Sequence, residues 1–210
     1  MKGFSRFALL FLIVLAAWAG FFLWAALFGG PQVPEPSREP LRVYGPIEAF
    51  HLLDQDGRPF RREDLLGKVW VVDFFFTRCH TLCPQLTLKM DHLARGWHRE
   101  SRLEFLSVSV DPEFDRPEIL RSYAQAHDIP LSRWTLATGE KKAILDLSQK
   151  TFKLGMGTER GADGDITHSS RFVLVDAKGR IRGYYNALDD AGLKGLDRDL
   201  NALFHKMDAP

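Results

Sequence analysis

The stretch 69-VWVVDFFFTRCHTLCPQL-86 runs from an almost unbroken apolar segment into a polar loop and then a proline-started helix. Residues so apolar on both alternating faces belong to a central strand covered on both sides. The strand's end carries the chain's two cysteines, Cys79 and Cys83, with three residues between them. Pro84 suits a first helical turn, so Cys83 stands at a helix N-terminus. There the dipole and free backbone N–H groups favour a thiolate. Two thiols at this spacing make a structural disulfide, a redox pair or part of a metal site. A structural disulfide is the weakest of these, because so small a loop removes little chain entropy on closing. Asp73 interrupts the apolar strand. A buried carboxylate is costly unless paired or protonated, and its pKa rises. It is either an acid with a local partner or a proton acceptor for a thiol at the end of its own strand, and spacing leaves both open.

Around this centre the pattern is that of an α/β chain. Upstream, AFHLLDQDGRPF (49–60) reads as a hairpin about Asp56-Gly57, and REDLLGK as a helical turn ended by Gly67. After the cysteines, Leu86, Met90 and Leu93 form one helical stripe. LEFLSVSV (103–110) is a second buried strand, followed by the loop DPEFDRP and a helix opened by Pro117. WTLATG and EKKAILDLSQKTF add a strand and a helix, and the glycine-rich KLGMGTERGADGDITH reads as a loop. SRFVLVDAKGRIRGYYNA is strand, turn, strand, and Leu193, Leu196, Leu200, Leu203 and Phe204 mark a C-terminal helix. The expected fold is a mixed sheet flanked by helices, in which ligands sit at the carboxyl ends of strands. The cysteine loop falls at such an end.

The N-terminus differs in kind. Phe7 to Phe28 contains no charged side chain and is long enough, as a helix, to cross a hydrocarbon core of about 30 Å. A cleaved signal sequence is the rival reading, with an apolar region of only about 7–15 residues. Lys2 and Arg6 precede the span, while Arg38 and Arg42 follow at a distance, interleaved with Glu35 and Glu39. That bias predicts a single pass through the inner (cytoplasmic) membrane, N-terminus inside, with the bulk of the chain outside the cytoplasm, on the periplasmic or extracytoplasmic side, where disulfides persist. The proline-rich 30–45 segment is a semi-rigid spacer. The expected organisation is therefore an anchor (1–29), a linker (30–45) and one globular domain (46–210). With 28 basic and 27 acidic side chains the chain lacks a nucleic-acid footprint.

Three motifs together resemble the Sco/SenC family of thioredoxin-like copper proteins that assist cytochrome c oxidase assembly. They are FFFTRCHTLCP, SVSVDPEFDRPEIL and ITHSSRFVLVDAKGR, in order along residues 46 to 206. The resemblance implies a thioredoxin-like (peroxiredoxin-like) fold and one copper ion, Cu(I) or Cu(II), held by Cys79, Cys83 and His168. Two thiolates and an imidazole form a soft donor set that suits copper, whereas structural zinc usually takes four protein ligands. It further implies delivery of copper to the CuA centre of oxidase subunit II, or a similar cupredoxin-like acceptor. A small periplasmic copper donor is a further implied partner. The competing activity is that of a thiol–disulfide oxidoreductase or a redox or copper sensor, with Cys79 and Cys83 as the redox pair. A buried Asp before the cysteines is similar to thioredoxin. Against that, the cysteine spacing is three rather than two, and 166-ITHSS-170 lacks thioredoxin's cis-proline. Thr77-Arg78-Cys79 echoes peroxiredoxins, but the proline that normally precedes their motif is missing.

Overall fold

The computed structural model describes residues 11–12, 14–21, 41–155 and 169–208. The chain divides into two compact units, Met1–Glu39 and Pro40–Pro210. In the first, residues 11–12 and 14–21 are helical and exposed, including Phe11, Leu15, Trp18 and Phe21. Among the described residues no helix is long and apolar enough to cross a membrane. The rest of the Phe7–Phe28 run lies outside them.

The second unit is built on one mixed sheet of eight strands. These are β1 (Gly45–Pro46), β2 (His51–Asp54), β3 (Pro59–Arg61), β4 (Val69–Phe75), β5 (Leu103–Ser109), β6 (Trp134–Thr138), β7 (Arg171–Val175) and β8 (Arg180–Asn186). Their spatial order is β1-β8-β7-β4-β5-β6-β2-β3. The three central strands β4, β5 and β6 are parallel, with Val69 opposite Leu103 and Phe105 opposite Trp134. All seven residues of β4 are buried, as its two-faced apolarity requires. Phe74 faces a ring lattice with Phe152 and Trp70, while Phe75 lies 5.4 Å from Tyr123 on the other face. The expected β2–β3 hairpin forms about Asp56-Gly57, with Gly57 in the left-handed region and Asp54 accepting from the Asp56 and Arg58 N–H groups.

Among the described residues four helices cover the sheet: α1 (Cys83–Gly96), α2 (Pro117–Ala126), α3 (Lys141–Asp146) and α4 (Asp190–Asp208). Helix α1 buries Cys83, Leu86, Thr87, Met90 and Ala94, and α4 buries Leu196, Leu200, Leu203 and Phe204, spacings that keep one face inward. The helix expected over EKKAILDLSQKTF is interrupted. After α3 the chain widens into a π-turn, Leu147–Thr151, closed by the Phe152 N–H on the Leu147 carbonyl. The wider turn rotates Phe152 inward, between Trp70 and Phe74.

Strand β7 lies antiparallel to β4, with Trp70 opposite Val175 and Val72 opposite Val173. Chain entering β7 therefore arrives at the pole of the sheet where β4 leaves it. The β7–β8 turn lies at the opposite pole, where Leu41 to Tyr44 also pack: the Tyr44 N–H bonds the Ile181 carbonyl, and Arg182 donates to the carbonyls of Leu41 and Arg42.

Candidate metal centre

Leaving β4, the backbone turns sharply. The Cys79 N–H donates to the Phe76 carbonyl at 3.3 Å, and the Phe76 N–H reaches Cys83 Sγ at 3.5 Å. The residue preceding α1, Leu82, has no side chain able to cap the helix. The Cys79 sulfur takes that role, accepting the Cys83 N–H at 3.2 Å. Both cysteines are reduced thiols, 5% and 1% exposed respectively.

The two sulfurs differ electrostatically. Burial works against a Cys79 thiolate. Hydrogen bonds from the Cys83 backbone and thiol, and from the backbone at Thr81 and Leu82, outweigh it and lower the pKa below the ordinary thiol value. Burial pushes Cys83 far up, and the neighbouring Cys79 and Asp73 charges add to that despite the Phe76 N–H. Cys79 is thus the thiolate-forming sulfur and Cys83 retains its proton.

Asp73 is fully enclosed. Its carboxylate accepts the Ser107 hydroxyl at 2.5 Å from the facing position on β5, and Ser107 in turn accepts the Trp134 indole N–H at 2.9 Å. Burial raises the Asp73 pKa to about 7, against the smaller pull of the Ser107 bond. The rise expected for an acid inside this strand is therefore present. Tyr123, hydrogen-bonded to Thr87 of α1 at 2.9 Å, closes the same side, and burial raises its pKa to about 12.

The loop after β5, read from sequence only as a connection and a motif, anchors the cysteine loop. Asp115 is wholly buried. It accepts the Thr77 N–H at 3.0 Å, the Ser109 hydroxyl at 2.5 Å and the Thr77 hydroxyl. Asp111 pairs with Arg78 at 2.7 Å, and the Arg78 guanidinium lies 3.9 Å above the Phe114 ring. A sequence signal existed: two acids four residues apart in a turn-forming segment, following a strand with alternating serines.

His168 lies outside the described residues, and so does most of the glycine-rich loop. The described chain resumes at Ser169, whose hydroxyl accepts the Arg171 N–H at the start of β7. His80, between the cysteines, is exposed. Among the described residues no group of three or more His, Cys, Asp or Glu side chains could hold a metal ion. The donors they supply are two sulfurs sharing a hydrogen-bond network at one pole, a soft pair that fits copper better than a hard cation.

Comparison with known proteins agrees with this geometry. The SCO1/SenC family model matches residues 43–194. The SCO1 protein homolog of Bacillus subtilis is 31% identical over 183 residues, covering 86% of this chain and 91% of that protein. Among solved structures, BsSco matches with a TM-score of 0.70 at 30% identity over 79% of this chain and 98% of its own. It is a member of the Sco family of cytochrome c oxidase assembly proteins, and a disulfide switch was identified in it. ScoI of Bradyrhizobium japonicum, solved with copper bound, shares the fold at TM-score 0.62 and 23% identity, over 74% of this chain and 98% of its own. The class defined is a thioredoxin-like domain with a paired-cysteine centre. The chain belongs to the SCO1/SenC family.

Proposed function

We propose that this protein binds one copper ion through Cys79, Cys83 and His168 and delivers it to the CuA centre of cytochrome c oxidase subunit II or a similar cupredoxin-like acceptor. The observation that carries this reading is the pair of convergent reduced thiols at the carboxyl end of β4, one biased toward thiolate and both fixed by backbone donors. Copper is the cargo, and thiolate is the form that ligates it. Topology supports His168 as the third ligand: Ser169, next in sequence, leads into β7, whose first residue lies at the cysteine pole. Exchange with a partner disulfide, which is reduced to two thiols as Cys79 and Cys83 become a disulfide, removes the soft donors and so releases the ion. Relatives support the cargo and its destination, since ScoI was solved with copper and BsSco belongs to an oxidase assembly family.

The exposed apolar helix and the Phe7–Phe28 run support a membrane anchor with the domain on the periplasmic side, where a small copper donor would meet it. Retention of the full chain in the membrane after alkaline extraction tests the anchor. Anaerobic loading of the reduced chain with Cu(I), followed by desalting, tests the site. About one copper per chain, weakened in His168→Ala and lost in Cys79→Ala and Cys83→Ala, is the expected result. Equal retention in all four proteins would refute the assignment.

A second reading, thiol–disulfide exchange, is favoured by one observation: the buried Asp73, its pKa near 7, whose charge helps to raise the pKa of the Cys83 thiol. Asp73 is then the proton acceptor for Cys83 as it attacks a mixed disulfide formed at Cys79. Reduction of the acceptor's own cysteines by the metal-free protein is the corresponding activity.

A further inference from the structure

The pole opposite the cysteines carries a groove of about 370 Å³ between the β7–β8 turn and the end of α4. Asp176, Lys178, Arg180, Arg182, Lys206 and Met207 line it: four cations and one carboxylate. That carboxylate is already taken, accepting from Arg180 and Arg182 at 2.7 and 2.8 Å. Lys178 and Lys206 are exposed. On the adjoining segments Glu63 pairs with Arg62 and Glu104 with Lys68, Glu100 and Asp208 share Arg102, and the exposed Asp64 accepts the Arg61 N–H. The groove itself therefore carries an excess of positive charge.

Large apolar side chains surround this charge. Val43, Tyr44, Leu66 and Met207 are all exposed, at 48%, 41%, 44% and 38%. Leu66 sits against the β7–β8 turn, its Cδ2 only 3.6 Å from where a Cβ on Gly179 would stand, and Tyr44 is bonded to Ile181. Arg42 lies over the Tyr44 ring at 5.1 Å. Lysine and arginine interleaved with tyrosine, leucine and methionine on one exposed face is the chemistry of a bilayer interface: apolar tips enter the headgroup layer and cations meet anionic lipid. The chain itself enters the domain here, at Leu41 and Arg42, directly from the proline-rich segment and the apolar run before it.

We propose that this pole docks on the surface of an anionic bilayer, lipid phosphates seating at Lys178, Arg180 and Lys206 while Tyr44, Leu66 and Met207 enter the interface. The inference rests on the anchor proposed above. Docking turns the cysteine pole away from the lipid by the length of β4, about 20 Å for seven residues, and so points the thiols toward soluble domains rather than the membrane.

Lysine acylation footprinting of the full chain tests this, in nanodiscs of phosphatidylcholine alone and of phosphatidylcholine mixed with phosphatidylglycerol. Labelling of Lys178 and Lys206 should fall roughly fivefold on the anionic discs, recover in high salt, and leave Lys89 and Lys150 unchanged. Arg42→Glu combined with Lys206→Glu should restore Lys178 labelling on anionic discs without altering thiol alkylation. Equal labelling on both disc types, with the chain retained in both, overturns the dock and leaves the anchor standing. Protection on phosphatidylcholine discs brought about by inorganic phosphate alone also overturns it, in favour of a small-anion site. Failure of the chain to stay with either disc refutes the anchor instead. The dock is then read by sedimentation with phosphatidylglycerol vesicles, where binding supports it and its absence ends it.

Discussion

Asp115 holds Thr77 through both its backbone N–H and its hydroxyl, tying the loop after β5 to the loop after β4 across 38 positions of sequence. The cysteine loop is thus fixed from outside. Asp115→Ala leaves the Thr77 N–H and the Ser109 hydroxyl buried without their acceptor, a loss of about 2–4 kcal/mol. Urea unfolding measures that cost, and Asp115→Asn, which keeps an acceptor, should lose less. The same variants should shift the Cys79 alkylation profile toward higher pH, as the donors around its sulfur loosen. An unchanged profile in a destabilised Asp115→Ala protein would confine this acid to stability alone.

The electrostatic difference between the sulfurs predicts ordered reactivity. With iodoacetamide near neutral pH, Cys79 should be alkylated first and Cys83 protected, because burial disfavours the Cys83 thiolate. Peptide mapping by mass spectrometry reads this directly. Cys79→Ser should leave Cys83 slow, since its burial does not depend on its neighbour. Equal rates at the two positions would contradict the structure.

Asp73 makes stability depend on pH in an unusual direction. Its folded pKa, about 7, lies above the ordinary 3.8, so the folded state holds the proton more tightly than the unfolded state does. Stability associated with this group is full below about pH 4 and is lost as pH rises through about 7, a change on the order of 4 kcal/mol. Asp73→Asn should flatten that part of the profile and be relatively more stable at pH 8 than at pH 5. Thermal unfolding of both proteins across pH 5 to 8 checks it, and parallel profiles would show that Asp73 does not titrate there.

In the oxidoreductase reading, Asp73→Asn should also slow resolution of a mixed disulfide at Cys79 by roughly tenfold or more at neutral pH, in line with removal of a positioned base. Stopped-flow reduction of a model disulfide gives the rate. An unaltered rate would leave Asp73 without a proton role.

Local periodicity made much of this fold legible. The continuous apolarity of Val69–Phe75 marks a strand buried on both faces, and the Leu86/Met90 and Leu196/Leu200/Leu203 spacings mark helices because side-chain direction repeats with the backbone. Pro84 and Pro117 mark first turns for a different reason: proline lacks the N–H that a first turn leaves unbonded, and its φ is already helical. What escaped reading depends on partners far apart in sequence. Asp115 with Thr77, and Trp134 with Ser107 and Asp73, are cross-strand and cross-loop bonds with no local pattern. The π-turn escaped because its cause, a slot for Phe152 between Trp70 and Phe74, is a tertiary one. Cys79 as a helix cap was hidden because sulfur is not the usual capping atom, and the missing signal was the lack of a capping side chain at Leu82.

Arg182 sets where a gene fragment can begin. Its buried guanidinium is satisfied by Asp176 and by the carbonyls of Leu41 and Arg42. An expression fragment starting at the β2–β3 hairpin discards those two acceptors and leaves the guanidinium with Asp176 alone, at a cost of about 1–3 kcal/mol. One starting a few residues before Leu41 keeps them. The smallest piece of this chain fit for purification, labelling or crystallisation therefore includes a stretch with almost no regular secondary structure of its own.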